Sequence, residues 1–166
     1  MAEKTLDTLF HETLKDIYYA ERKIATALRK MARAAQNPDL KASFETHEQE
    51  TQAQYERLQD VFEMIGKRAQ GKTCDAIEGI VSEAQEIMDE FKGSPALDAG
   101  LLAAAQAVEH YEISRYGTLK SWATQLGMDD AVSLLDQTLQ EEVATDEKLT
   151  KLAEAVVNAA AEGGPQ

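Results

Sequence analysis

Acidic residues stand on the inward stripes of four helical segments: Glu21, Glu50, Glu109 with Glu112, and Glu142 with Asp146. An ionised carboxylate is costly to take out of water, so a buried one is protonated, pairs with a base or binds a metal. His47 lies three residues before Glu50, which puts an imidazole and a carboxylate on adjacent turns of one face. Glu109 and Glu112 repeat that spacing, and Glu142 and Asp146 stand at i, i+4. Carboxylate oxygens with one imidazole suit hard or borderline ions such as iron(II), iron(III) and manganese(II), whereas structural zinc prefers cysteine and histidine. Two metals fit this many donors better than one. Six acids against two divalent cations still leave a surplus of negative charge. Some carboxylate must be protonated, lie behind the direct ligands or be neutralised by a neighbour, as Arg115 could do one turn beyond Glu112. The competing reading is a salt bridge inside the fold, and Glu12, Glu45, Glu48, Glu56, Glu141 and Glu147 fall off the stripes on solvated faces.

Helices must carry these residues. The chain has 166 residues, 43% of them hydrophobic, with three prolines and nine glycines, enough for one domain with a real core. Glu, Ala, Leu, Lys, Gln and Met favour helix, and no stretch alternates like a strand, so the expected class is all-α. A first helix is expected over 4–35, with Phe10, Leu14, Ile17, Glu21, Ile24, Leu28 and Met31 as one stripe. Asn37 and Pro38 end it and open a second, 38–66, striped by Leu40, Phe44, His47, Glu50 or Thr51, Gln54, Leu58 and Phe62 and closed by Gly66. A shorter helix is expected over 76–91. A long one follows over 95–126, carrying Leu102, Ala105, Glu109, Glu112, Tyr116, Leu119 and Ala123 and capped by Gly127. The last, 129–161, reads Val132, Leu135, Leu139, Glu142, Asp146, Leu149, Ala153 and Val156, and the tail beyond it is expected to fray.

Two short joints and one long one suit a four-helix bundle of two hairpins linked by a crossover that carries the extra short helix, as in ferritin-like folds. The midpoints of the four long helices lie within about two residues of the acids, or about 3 Å along an axis, so all four can meet in one layer.

A net charge of −13 argues against nucleic acid and an anionic membrane surface, since both require a basic face. No apolar run of about 18 residues is present, and the N-terminal segment lacks the apolar core of a signal peptide, so a cytoplasmic location is expected. Cys74 is the sole cysteine, which excludes an internal disulfide and a CxxC metal knuckle. Tyr18, Tyr19, Tyr111 and Tyr116 cluster near the proposed ligands and read chiefly as large core fillers, while His110 is rotated about 100° from Glu109 and reads as outside the ligand set.

The segments LKDIYYAERKI, FETHEQETQAQYERL, AAAQAVEHYEISRYGTLKSWA and LLDQTLQEEVATDEKLTKLA resemble the YciE/YciF family of ferritin-like proteins over nearly the whole chain. More distantly, the sequence is similar to rubrerythrins and other di-iron carboxylate bundles, whose pattern is Glu, Glu-x-x-His, Glu, Glu-x-x-His on successive helices. Carried over, Glu21 matches the first-helix ligand and Glu109-x-x-Glu112 the paired acids of the third. The second helix has the reversed order His47-x-x-Glu50. The fourth has Glu142, Thr145 where histidine is expected, and Asp146 one step on. The cysteine-rich domain of rubrerythrins is absent. The resemblance implies two iron ions, or manganese, oxidation of iron(II) or reduction of dioxygen or peroxide, a stress-associated setting and a homodimer. An alternative is a non-catalytic helical stress protein whose core acids form structural ion pairs. An iron-storage cage has less support, because nothing in the sequence reveals cage contacts.

Overall fold

The structure, a computed structural model, describes residues 3–163. Its helices are α1 (Leu6–Ala34), α2 (Pro38–Met64), α3 (Asp75–Glu90), α4 (Leu97–Gln125) and α5 (Asp129–Leu152). A π turn, Ala153–Val157, then leads into the short α6 (Asn158–Ala161). There is no strand among the described residues. The expected boundaries hold to within two residues, except that the last helix is interrupted. Of the tail expected to fray, residues 164–166 lie outside the described residues.

Local chemistry explains the joints. The Asn37 side chain accepts hydrogen bonds from the amides of Asp39 and Leu40 at 2.9 and 3.0 Å, and Pro38 occupies the first turn, so α2 starts where α1 cannot continue. Gly66 and Gly127 take φ of +67° and +71°. There the amides of Lys67 and Met128 reach back to the carbonyls of Phe62 and Ala123 at 2.9 Å, closing α2 and α4.

Helices α1 and α2 form one hairpin and α4 and α5 the other; α1 packs on α4 and α2 on α5. Contacts of Gln36 with Asp98 and of Glu21 with Tyr116 run in opposite senses along α1 and α4, so these two helices are antiparallel. The crossover sends α3 across the outside of α1 and α4. A Cβ on Gly100 would lie 2.7 Å from Ile87, so glycine lets α3 approach this closely. The result is a ferritin-like four-helix bundle whose crossover carries an added helix.

All seven stripe residues expected on α1 are buried, as are all seven on α4. Helix α5 differs. Its inner face is Ala131, Leu135, Thr138, Glu142, Thr145 and Leu149, one residue off the expected stripe at three places, because two threonines turn inward where Leu139 and Asp146 were expected. The π turn adds one more residue to the coil, so Val157 is buried and Val156 is 42% exposed.

The two hairpins are pinned by a buried carboxylate that the sequence patterns do not flag. Asp98, in the first turn of α4, accepts the amides of Gln36 and Asn37 at 2.8 and 2.7 Å and so fixes the α1–α2 joint. Hydrogen bonds to a charged group in this setting contribute about 2 kcal/mol net. Asp98→Ala should lower the unfolding free energy in urea by about that amount, with helical content retained below the transition.

Candidate metal centre

Five of the seven expected ligands meet at mid-bundle. Glu21 of α1, Glu109 and Glu112 of α4 and Glu142 of α5 have no exposed surface, and His47 of α2 is 2% exposed. One donor atom from each of His47, Glu109, Glu112 and Glu142 lies within 4.8 Å of the others. The imidazole faces two acids: Nδ1 is 3.0 Å from Glu109 Oε1 and Nε2 is 3.6 Å from Glu142 Oε2. Glu21 completes the group on its α1 side, against Glu112.

Glu50 and Asp146 stand outside this cluster. Thr51 takes the buried position beside Glu50, which is half-buried and accepts from the Thr145 hydroxyl at 3.4 Å. Asp146 accepts from Gln106 at 3.2 Å and lies 3.1 Å from Nε2 of the exposed His110, which is accordingly outside the donor group, as its rotation from Glu109 implies. Helix α2 therefore brings a histidine but no acid. Arg115 is likewise elsewhere, its guanidinium over the Tyr111 ring at 5.3 Å.

Two supporting side chains carry more weight than their sequence signal suggests. Tyr116 is fully buried and its hydroxyl donates to Glu21, so it fixes an acid as well as filling the core. Gln54, in the stripe of α2, is also fully buried; its amide donates to Glu142 Oε1 and, at 3.0 Å, to Glu141. Arg57 grips Glu141 with two hydrogen bonds of 3.0 Å and Thr138 with one of 2.6 Å, linking this network to the surface. A buried glutamine amid leucines on a helix stripe was the one available clue to its role. The other tyrosines act elsewhere: Tyr18 stacks on Tyr55, Tyr19 donates to Glu78 of α3, and Tyr111 lies 3.0 Å from the buried Cys74 thiol.

The electrostatics are severe. Among the described residues, no lysine or arginine comes within 4.0 Å of any of the four clustered carboxylates. Both oxygens of Glu109 and of Glu112, one each of Glu21 and Glu142, and His47 Nε2 are buried with no hydrogen-bond donor or acceptor supplied by another group. Burial, reinforced by the charge of Glu142, pushes Glu21 up to about 8. Burial likewise lifts Glu109 and Glu112 well above the usual carboxylate range. Burial acts on Glu142 in the same direction, but the adjacent His47 imidazole and the neighbouring Glu109 and Glu112 carboxyls outweigh it and hold Glu142 at about 2. Without a cation the acids thus share protons around one ionised member. Unpartnered oxygens from three helices and an imidazole from a fourth lie together at mid-bundle, a set of donors that could hold a metal ion.

The proton sharing has a measurable sign. A group whose value is raised on folding gives stability that is full below its unfolded value near 4.5 and is lost as pH climbs through the folded value, about 8 for Glu21. Glu142, shifted the other way, acts only below that window. Chelator-stripped protein should therefore lose melting temperature steadily from pH 5 to pH 8, as read by circular dichroism. Glu21→Gln should flatten that slope and stabilise the stripped protein at pH 8.

Comparison with known proteins places the chain. A profile of the domain of unknown function DUF892 matches residues 5–162. Protein YciF of Escherichia coli K12 is 45% identical over 163 residues, 98% of each chain. The crystal structure of the E. coli stress protein YciF superposes with a TM-score of 0.89 at 44% identity, covering 94% of this chain and 99% of that one. YcfI of Rhodopseudomonas palustris gives 0.86 at 48% identity over 88% of this chain and 93% of its own. A Xanthomonas campestris protein gives 0.72 at 25% identity over 95% and 97%. From one end of the bundle to the other, then, sequence and backbone agree that this chain belongs to the DUF892 family and is a relative of YciF.

Proposed function

We propose that this stress-protein relative is a di-metal carboxylate protein that oxidises iron(II) or reduces dioxygen or peroxide. The observation that carries the reading is the convergence of four buried acids and a histidine with no lysine or arginine paired to them among the described residues. With Glu50 and Asp146 set apart, the charge balance closes. Four carboxylates carry one negative charge each when ionised, and two divalent ions supply the same amount of positive charge.

Glu21, His47, Glu109, Glu112 and Glu142 would hold the ions. Bound iron or manganese would supply the electron-transfer chemistry that no side chain of this cluster has by itself. The chain's own residues do the rest. Gln54 holds one oxygen of Glu142 and leaves Oε2 free for an ion. The Tyr116 hydroxyl donates to one oxygen of Glu21 and so holds that carboxyl in place beside Glu112, leaving its second oxygen without a partner. Phe10, Leu14, Ile17, Ile24 and Leu28 wall the layer above and below, so water reaches it sparingly and electrostatic interactions within it are strong.

A second reading has one point in its favour: a structural role is suggested for YcfI, a relative by fold and sequence. Under it the acids would keep their shared protons with His47 as their ionic partner, and metal would change nothing.

Elemental analysis separates the two readings. Protein exposed to iron(II) and air should carry about two metals per chain, accelerate iron oxidation or peroxide loss, and melt higher than the chelated form. Glu109→Ala and Glu142→Ala should lose metal while staying helical, and Asp146→Ala should keep it. No bound metal, together with a melting temperature indifferent to chelator, would leave the structural reading standing.

A further inference from the structure

Beside the centre a cleft of about 290 Å³ opens between α2 and α5. Its walls include Ser43, Thr46, Glu50, Thr145 and Lys148, and its inner end is His47. His47 is thus the one member of the donor cluster that also lines this cleft. It is 2% exposed, and its Nε2 has no hydrogen-bond partner although it lies 3.6 Å from Glu142. Glu50 stands on the same face one turn further along α2, a spacing at which side chains are neighbours. The Thr145 hydroxyl at 3.4 Å is its partner across the cleft, and no lysine or arginine lies within 4.0 Å of it among the described residues.

Building on the metal reading above, we propose that this cleft is the cation entry route and that Glu50 is a transit ligand, which takes a divalent ion from solvent and passes it to His47. The chemistry of the position argues for this. A hydrated cation needs an oxygen donor to replace waters before it enters a low-dielectric interior, and a half-buried carboxylate with one weak hydroxyl partner is free to supply it. The protein's charge of −13 concentrates cations near the surface, and the cleft gives them an inward path that ends on an imidazole nitrogen without a hydrogen-bond partner. Lys148, on the exposed rim, opposes entry.

A transit ligand has a kinetic signature that a resident ligand lacks. It lowers one barrier crossed in both directions, so its loss slows loading and release by the same factor and leaves affinity unchanged. The experiment follows cobalt(II) uptake by the metal-free full chain in stopped-flow absorbance, and then cobalt extraction by chelator. For Glu50→Gln the expected result is loading and extraction each slowed about tenfold, with stoichiometry and Kd as in the wild type. Lys148→Gln should load faster than wild type. Ser43→Trp, which narrows the cleft while keeping the Glu50 carboxylate, should slow both directions as well. Wild-type rates in Glu50→Gln would overturn the entry role. A lost metal equivalent or weakened Kd in that variant would also overturn it, by making Glu50 a resident ligand. A wild-type chain that takes up no cobalt would instead overturn the underlying metal reading, so the two failures are told apart.

Discussion

Desolvation of four glutamates at the middle of the bundle is the constraint on which the rest of this structure depends. An apolar interior does not tolerate several like charges side by side, and among the described residues no lysine or arginine comes within 4.0 Å of Glu21, Glu109, Glu112 or Glu142. Protons shared among these acids relieve that cost, and on the proposed reading cations would relieve it in their place. Each state suits a different pH, and the same cluster that burdens the folded chain in alkaline solution is the one we propose binds metal.

The surrounding architecture serves that layer. Two helical hairpins bring α1, α2, α4 and α5 side by side, and because the acids sit near the helix midpoints their depth is nearly independent of helix direction. Asp98 ties the start of α4 to the joint between α1 and α2, which keeps the two hairpins at a common height. Around the donors a shell of polar side chains, Tyr116, Gln54 and through it Arg57 and Glu141, limits how far Glu21 and Glu142 can turn. Such outer partners commonly decide how tightly a site holds its ion. The relationship to YciF extends the same backbone to proteins of this family, with TM-scores of 0.86 and 0.89 for two solved relatives above 40% identity.

Much of this was legible in the residues because helices of this length announce their inner faces. The stripes of α1 and α4, the Asn37–Pro38 joint and the glycine caps at Gly66 and Gly127 follow from spacing and local chemistry alone. Legibility failed where two neighbouring positions competed for the inside. On α2 the spacing allowed Glu50 or Thr51, and the threonine is buried. On α5 the apolar Leu139 drew the expected stripe to Asp146, whereas Thr138, Glu142 and Thr145 form the true inner face. A threonine can face inward once its hydroxyl finds a partner, as Thr138 does with Arg57, and that pairing lies 81 residues away in sequence. The roles of Tyr116 and Gln54 were hidden for the same reason, since each depends on a contact across the bundle.

The most direct test is anomalous diffraction at the iron and manganese absorption edges, from crystals of the protein grown with each metal. Two anomalous peaks enclosed by Glu21, His47, Glu109, Glu112 and Glu142, with Glu50 and Asp146 out of bonding reach, are what this account predicts. Well-ordered crystals without density at mid-bundle, or with metal confined to surface acids, would contradict it.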